Sequence, residues 1–443
     1  MTIVYLALYL AALTGITWIS SRRETAGEYL NSGKNLSAGE SAWTTFASLL
    51  TGYNFVLGVT FAYLYGFWYL MAFVGAAAAF VVLYFFYKKR LLPLQKEHDL
   101  FSIGDYFGIR YGAPSRIFVN LILCAGLFLF LILQIFVNTG LFSALLHIGA
   151  IPALLLTTGV VCAYLWFGGF RVSVKTDIFQ GVLMLPIILT VFVVPFSFSA
   201  EKISSALDPS QFWFAVGLML LQFFSLLGQA ESFQRIFASR DSASLKKGLI
   251  VAFALLALVA GSIAYLGINF RFAGITVDPS NLFTEGVLNV LPPWLGSLLI
   301  VSLIAAFMGT IDSSAFALGV LVARMRNAAR LSLVRDTRIF TLLGIALSAV
   351  ASLYLFSFLS SVFALISLIS VMGAALLLSF LWKITAFEMN TFLVVGTAAF
   401  ILGLMFGFVT SDPLTSLIPS AAGFCAFVAA IVYRKYTVLF FPD

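Results

Sequence analysis

Runs of about twenty apolar residues recur along the whole chain, separated by short polar segments, and this constrains the fold more than any other feature. A helix rising about 1.5 Å per residue needs roughly twenty residues to cross the hydrocarbon layer, where it must satisfy its own backbone polar groups. Thirteen such runs are legible, near 2–20, 43–65, 67–87, 117–146, 151–168, 174–198, 212–236, 247–270, 297–325, 338–356, 360–382, 391–410 and 414–433. A chain that is 62% hydrophobic and 10% charged, with a mean hydropathy of +1.06, lies far outside the range of soluble globular domains. No hydrophilic block is long enough for a separate soluble domain, so residues 1–443 read as one all-α polytopic membrane unit.

The net charge of +7 reports topology rather than nucleic-acid binding. Threading thirteen spans puts all but Lys202 and Arg271 of the 25 basic residues on one side, which the positive-inside rule makes cytoplasmic. The expected orientation is N-terminus outside and C-terminus inside, in a bacterial inner (plasma) membrane. No basic residue precedes the first run and no small-residue cleavage pattern ends it, so it reads as a membrane helix rather than a cleavable signal. Cys124, Cys162 and Cys425 lie in apolar runs as small hydrophobes, and His98 and His147 are distant from them, so no metal-ligand spacing arises.

Buried polar residues carry the functional signal. Asp312 sits in the ninth run, where a carboxylate at the bilayer centre costs about 2.5 to 3.5 kcal/mol. Ala306, Gly309, Thr310 and Ser313 share one helical face with Asp312 at its edge, a pattern that serves either a cation site or a small-residue packing seam. Two runs read as broken, at Thr51-Gly52-Tyr53-Asn54 and at Gly228-Gln229-Ala230-Glu231. They lie five spans apart, and a five-helix unit repeated once is inverted, so interrupted helices at matching places point to a transporter's binding site. Asp177 is expected in the first turn of span six, either as a dipole-stabilised helix start or as a partner of Asp312 and Ser313 in holding a sodium ion or a proton. Glu231 either pairs with Arg235 four residues on or faces the solute, and Gln134 is either a pocket residue or interhelical glue. Phe101–Gly108 predicts a short interfacial helix, and Asp278–Pro293 an outer loop carrying an amphipathic stretch over Leu282–Leu291. No nucleophile, base and orienting group occur together, and there is no phosphate-binding loop, so an enzymatic reading has no support.

Several segments, in order, resemble the sodium:solute symporter family, which includes proline, sugar, pantothenate and sialic acid transporters. They are Glu28–Lys34, Asp105–Gly112, Phe167–Arg171 followed by Lys175–Gln180, Gly228-Gln229 leading to Gln234-Arg235, and Ala305–Thr310. The resemblance implies a LeuT-type 5+5 inverted repeat, with an extra helix at 2–20, repeats at 43–198 and 212–382, and two C-terminal helices at 391–433. It also implies a main sodium site between spans two and nine, with carbonyls from Ser48, Thr51 and Ala306 and the hydroxyl of Thr310. A second site, present in some members, maps to Asp177, Asp312 and Ser313. Gly309 departs from the pattern, because the family usually has a serine there and one hydroxyl ligand is missing.

The resulting expectation is a cation-coupled symporter, most simply sodium-driven, importing a small organic solute by alternating access. The solute is expected at Gly52, Tyr53, Asn54, Phe73, Gln134, Gln229 and Glu231. Phe73 and Ala76 on the third span favour a partly apolar solute over a sugar. Gly309 keeps two alternatives open: proton coupling, and a solute sensor of the same fold without coupled transport.

Overall fold

The computed structural model describes all residues except 23–24, 99, 196–199, 276–281, 326–329, 355–357 and 441–443. The ends of the runs expected at 174–198 and 338–356, Asp278 of the outer loop, Arg23 and Arg326 therefore lie outside the described residues. Among the described residues the protein is almost entirely helical. Its principal helices are α1 (Thr2–Ser21), α2 (Ala38–Leu49), α3 (Gly52–Tyr65), α4 (Met71–Phe86), α5 (Ala113–Leu146), α6 (Ala150–Phe167) and α7 (Phe170–Met184). After these come α8 (Phe212–Gly228), α9 (Ala230–Ala238), α10 (Ser242–Phe272), α11 (Pro293–Met325), α12 (Arg330–Ser352), α13 (Phe358–Leu381), α14 (Ala386–Met405) and α15 (Ile418–Phe440).

Among the described residues, eleven helical stretches are long and apolar enough to cross a membrane. The difference from thirteen arises at two places. Residues Gly52–Gln95 run on as one helical stretch holding two of the expected spans, joined by a 3-10 segment at Gly66–Leu70. Helix α12 carries Arg335, Asp336 and Arg338 in its first turns, charges that make this part of it too polar for hydrocarbon.

Helix α11 is the centre of the molecule: 89% of its membrane-spanning window is buried, against 22% for α1 at the periphery. Its small residues let neighbours approach closely, which is how helices associate where lipid offers no hydrophobic drive. At Gly52 a Cβ would lie 2.3 Å from the Phe307 ring, so only glycine lets the start of α3 press onto α11. Helix α1 lies along α7 and α11, with Thr2 Oγ1 donating to Ser297 Oγ at 2.9 Å and Tyr9 stacked on Phe179 at 6.0 Å.

Local chemistry sets the helix starts. Ser37 and Glu40 form a capping box at α2, and Glu40 is also paired with Arg171 at 2.9 Å. Ser102 and Asp105 do the same for Ile103–Tyr111, the short helix expected from Phe101–Gly108, and Arg116 holds the Asp105 carboxylate at 3.0 Å. The stretch Leu282–Val290 is helical and buries Phe283 against Phe55 at 6.0 Å, so it is tucked into the body of the protein. A backbone stitch joins the entry to α2 with the exit from α9: Leu36 N–H donates to Ala238 O at 3.0 Å and Arg240 N–H to Leu36 O at 3.1 Å.

Candidate functional site

Both expected breaks are present. Between α2 and α3, Leu50 (φ −86°, ψ 69°) and Thr51 (φ −72°, ψ 161°) leave the helical region. Between α8 and α9 the interruption is Gln229 (φ −68°, ψ 121°). Carbonyls in the last turn of a helix run out of helical partners, and Ser48 lies in that turn of α2. The Asn54 side chain recovers one of them by donating from Nδ2 to Leu49 O at 2.6 Å, while Thr51 O accepts from Asn54 N–H at 3.0 Å. On α11, Thr310 Oγ1 donates to Ala306 O at 2.7 Å, which brings hydroxyl and carbonyl oxygens together. Ser48, Thr51, Ala306 and Thr310 are all buried, and the Gly52–Phe307 contact presses the break onto this part of α11. Gly309 faces α7, where Gln180 fills the space beside it.

One turn towards the C-terminal end of α11 lies a buried ionic cluster. Asp177 accepts from Arg235 Nη2 at 2.9 Å and from Thr44 Oγ1 at 2.5 Å, all on one oxygen, Oδ2. Its Oδ1 is buried without a partner. Arg235 also donates from Nε to Thr44 O and Oγ1, from Nη1 to Glu231 O, and from Nη2 to Ser313 Oγ at 3.0 Å. Ser313 in turn donates to Asp312 Oδ1 at 3.1 Å, so guanidinium and hydroxyl link the two carboxylates in series. Asp312, fully buried, also accepts from Tyr164 Oη at 3.0 Å, Ser173 Oγ at 3.4 Å and Thr176 Oγ1 at 3.5 Å.

Two sequence expectations need correction. Asp177 does not sit in the first turn of its helix, because α7 starts at Phe170 and the carboxylate lies two turns in, beyond the reach of a helix-start dipole effect. Nor do Glu231 and Arg235 form an intrahelical ion pair. The guanidinium takes only the Glu231 backbone carbonyl and turns to Asp177, while the Glu231 carboxylate accepts from Ser314 Oγ at 2.6 Å. An i, i+4 spacing permits the helical pair, but a fully desolvated guanidinium needs more acceptors than one side chain on its own helix supplies.

A narrow cavity opens beside the break in α2/α3. Tyr53, Asn54 and Phe73 line it, with Gly58, Tyr69, Ala76, Gln222 and a majority of aliphatic side chains. Tyr53, Asn54 and Gln229 share an adjoining recess with Gln222 and Ser225, and Glu231 lines a further small recess with Gln229 and Phe130. Gln134 lines none of these; it is fully buried, with neither amide atom paired. Sequence reasoning missed Gln222, a lone amide in the apolar run of α8, and Tyr69. It also passed over Thr44, Tyr164, Ser173 and Thr176, hydroxyls whose meaning depends on the carboxylates they meet across helices.

Comparison with known proteins agrees with this architecture. Over 70% of this chain and 69% of its own length, the sodium/pantothenate symporter of Haemophilus influenzae is 27% identical. The sodium/sialic acid symporter NanT of Aliivibrio fischeri is 26% identical over 80% of this chain and 77% of its own. The osmoregulated proline transporter OpuE of Bacillus subtilis is 24% identical over 98% and 94%. A solved structure of a Na+-coupled sialic acid symporter in a substrate-bound outward-open state superposes with a TM-score of 0.77 over 97% of both chains. Its identity is 19%, a likeness of fold that agrees with the LeuT-type arrangement. The Sodium:solute symporter family profile matches residues 29–391, and the chain belongs to that family.

Proposed function

We propose that the protein is a sodium-driven secondary active symporter that imports a small, partly apolar organic solute by alternating access. The observation that carries this reading is the break between α2 and α3 pressed against α11, where the Thr310 hydroxyl meets the Ala306 carbonyl, beside a mostly apolar cavity. Unwound backbone in a membrane protein is tolerated where it lines a cavity or a site, and exposed carbonyls suit a hard monovalent cation. Ser48 and Thr51 from the break and Ala306 and Thr310 from α11 form the main sodium site. An ion there holds the two elements together and favours one state of the transporter, and solute then binds that state; coupling requires only that the ion prefer one conformation.

Asp177, Asp312 and Ser313 form the second cation site. Two buried carboxylates share one guanidinium, Asp177 directly and Asp312 through Ser313, so with both ionised they carry one negative charge more than it balances, which one sodium ion or one proton would offset. The solute lies among Tyr53, Asn54, Phe73 and Gln222, with Gln229 at the adjoining recess. An aliphatic and aromatic wall with few amides favours a solute with an apolar part and one or two polar groups. Residues 43–198 and 212–382 are read as the inverted repeats of thirteen spans, with the C-terminus cytoplasmic. In proteoliposomes, an inward sodium gradient should drive uptake of solutes that stabilise the protein in a thermal-shift screen. Uptake indifferent to both sodium and pH gradients refutes the proposal.

A further inference from the structure

Gly309 removes a hydroxyl from the ion-binding face of α11, yet the space it leaves is not empty. A Cβ built there would lie 2.3 Å from Gln180 Oε1, 3.0 Å from its Cδ and 3.6 Å from its Nε2, so the amide presents its oxygen edge to residue 309. Gln180 is fully buried on α7, one turn beyond Asp177, and its Oε1 has no hydrogen-bond partner. Its Nε2 donates to Tyr9 Oη of α1 at 3.0 Å, and in this orientation the oxygen faces α11. Tyr9 is itself buried and stacks on Phe179, which fixes the position of the hydroxyl that the amide meets.

We infer that Gln180 Oε1 is a cation-ligating oxygen that replaces the hydroxyl missing at Gly309, with Tyr9 of α1 fixing its orientation. Three features converge on it. An amide carbonyl is a neutral, hard oxygen of the kind alkali and alkaline-earth cations take. A buried acceptor left without a donor needs a partner, and a cation at Thr310 and Ala306, one position and one turn from Gly309, supplies one. Glycine is also required for the arrangement, because any side chain at 309 would displace the amide. The ligand thus comes from α7 rather than α11, which adds α7 to the helices that the main site clamps. The inference rests on the sodium-symport reading.

The test uses purified full-length protein and sodium chloride as the only added ligand, with potassium chloride keeping ionic strength constant. The readouts are thermal stabilisation and tryptophan fluorescence as functions of sodium. Gln180→Leu, which keeps volume but loses the oxygen, should raise the half-saturating sodium concentration about tenfold. Gln180→Glu, which keeps an oxygen, and the double variant Gln180→Ala/Gly309→Ser, which returns the hydroxyl to α11, should both stay within about threefold of the parent. Half-saturation unchanged in Gln180→Leu, or a double variant as weak as the leucine variant, overturns the inference while leaving sodium coupling intact. A parent protein that does not respond to sodium at all overturns the symport reading and the inference together. If Gln180→Leu fails to fold, Gln180→Ala takes its place: a tenfold rise in half-saturating sodium that Gln180→Ala/Gly309→Ser reverses supports the inference, and an unchanged value overturns it.

Discussion

The ion pair between Asp177 and Arg235 makes a quantitative prediction because the two partners are unequally supported. Both side chains are buried, with 1% and 3% of their surface accessible. Removing one partner of a buried pair costs about 3 to 5 kcal/mol, because an uncompensated charge remains. After Asp177→Asn, the guanidinium keeps its acceptors at Thr44, Glu231 O and Ser313, and the asparagine oxygen still offers a neutral acceptor. That places the loss near the low end, about 3 kcal/mol. After Arg235→Met, Asp177 keeps only the Thr44 hydroxyl, with Oδ1 already unpartnered, which places the loss near the high end, about 5 kcal/mol. The double variant leaves no buried charge uncompensated within the pair and should be no worse than Arg235→Met alone, a coupling of about 3 kcal/mol. Reversible unfolding in mixed micelles, followed by tryptophan fluorescence, measures all four corners of the cycle. Single losses that add to the double within about 0.5 kcal/mol, or an Arg235→Met variant milder than Asp177→Asn, would refute this account of the cluster.

Three further outcomes follow from the same geometry. Asp312→Asn should slow transport strongly and change its dependence on sodium and pH, measured as uptake into proteoliposomes under each gradient separately; an unchanged ion dependence reduces Asp312 to a packing residue. Thr310→Ala should raise the sodium needed for half-maximal uptake about tenfold, and an unaltered value moves the ion elsewhere. Gly52→Ala drives a methyl into the Phe307 ring and should cost about 1 to 3 kcal/mol while weakening sodium-dependent stabilisation, whereas full retention of both would mean that α3 does not need its close approach to α11.

What the sequence disclosed was whatever depends on one segment at a time. Glycines and amides set into apolar runs announced the breaks at Thr51 and Gln229, because an uninterrupted membrane helix has no use for them. Asp312 announced itself through its cost in hydrocarbon. Partnerships across helices stayed hidden. Arg235 lies four residues from Glu231 and 58 from Asp177, and no spacing rule favours the distant carboxylate over the near one. Gln180 belongs to a segment that already marks the family, yet its amide gains meaning only when α7 is laid against Gly309. Gln134 shows the converse: a lone amide in an apolar helix suits a pocket or an interhelical contact equally, and it is absent from the cavity lining. Among the described residues eleven rather than thirteen stretches stand out as membrane-crossing, because a 3-10 joint and a charged helix start blur the hydropathy boundary.

The stitch at Leu36 gives the broken helices a mechanical relation that their separate descriptions leave out. Two backbone hydrogen bonds lock the strand-like residue before α2 to the end of α9, and the Arg235 guanidinium rivets Thr44 of α2 to α9 a few residues away. The halves of the two broken helices on that side should therefore move as one lever with two fulcra, at Leu50–Thr51 and at Gln229, a prediction from these two joints. A pair of spin labels flanking Leu36 and Arg240 should report a constant separation through the transport cycle, while labels placed on either side of each fulcrum record the stroke.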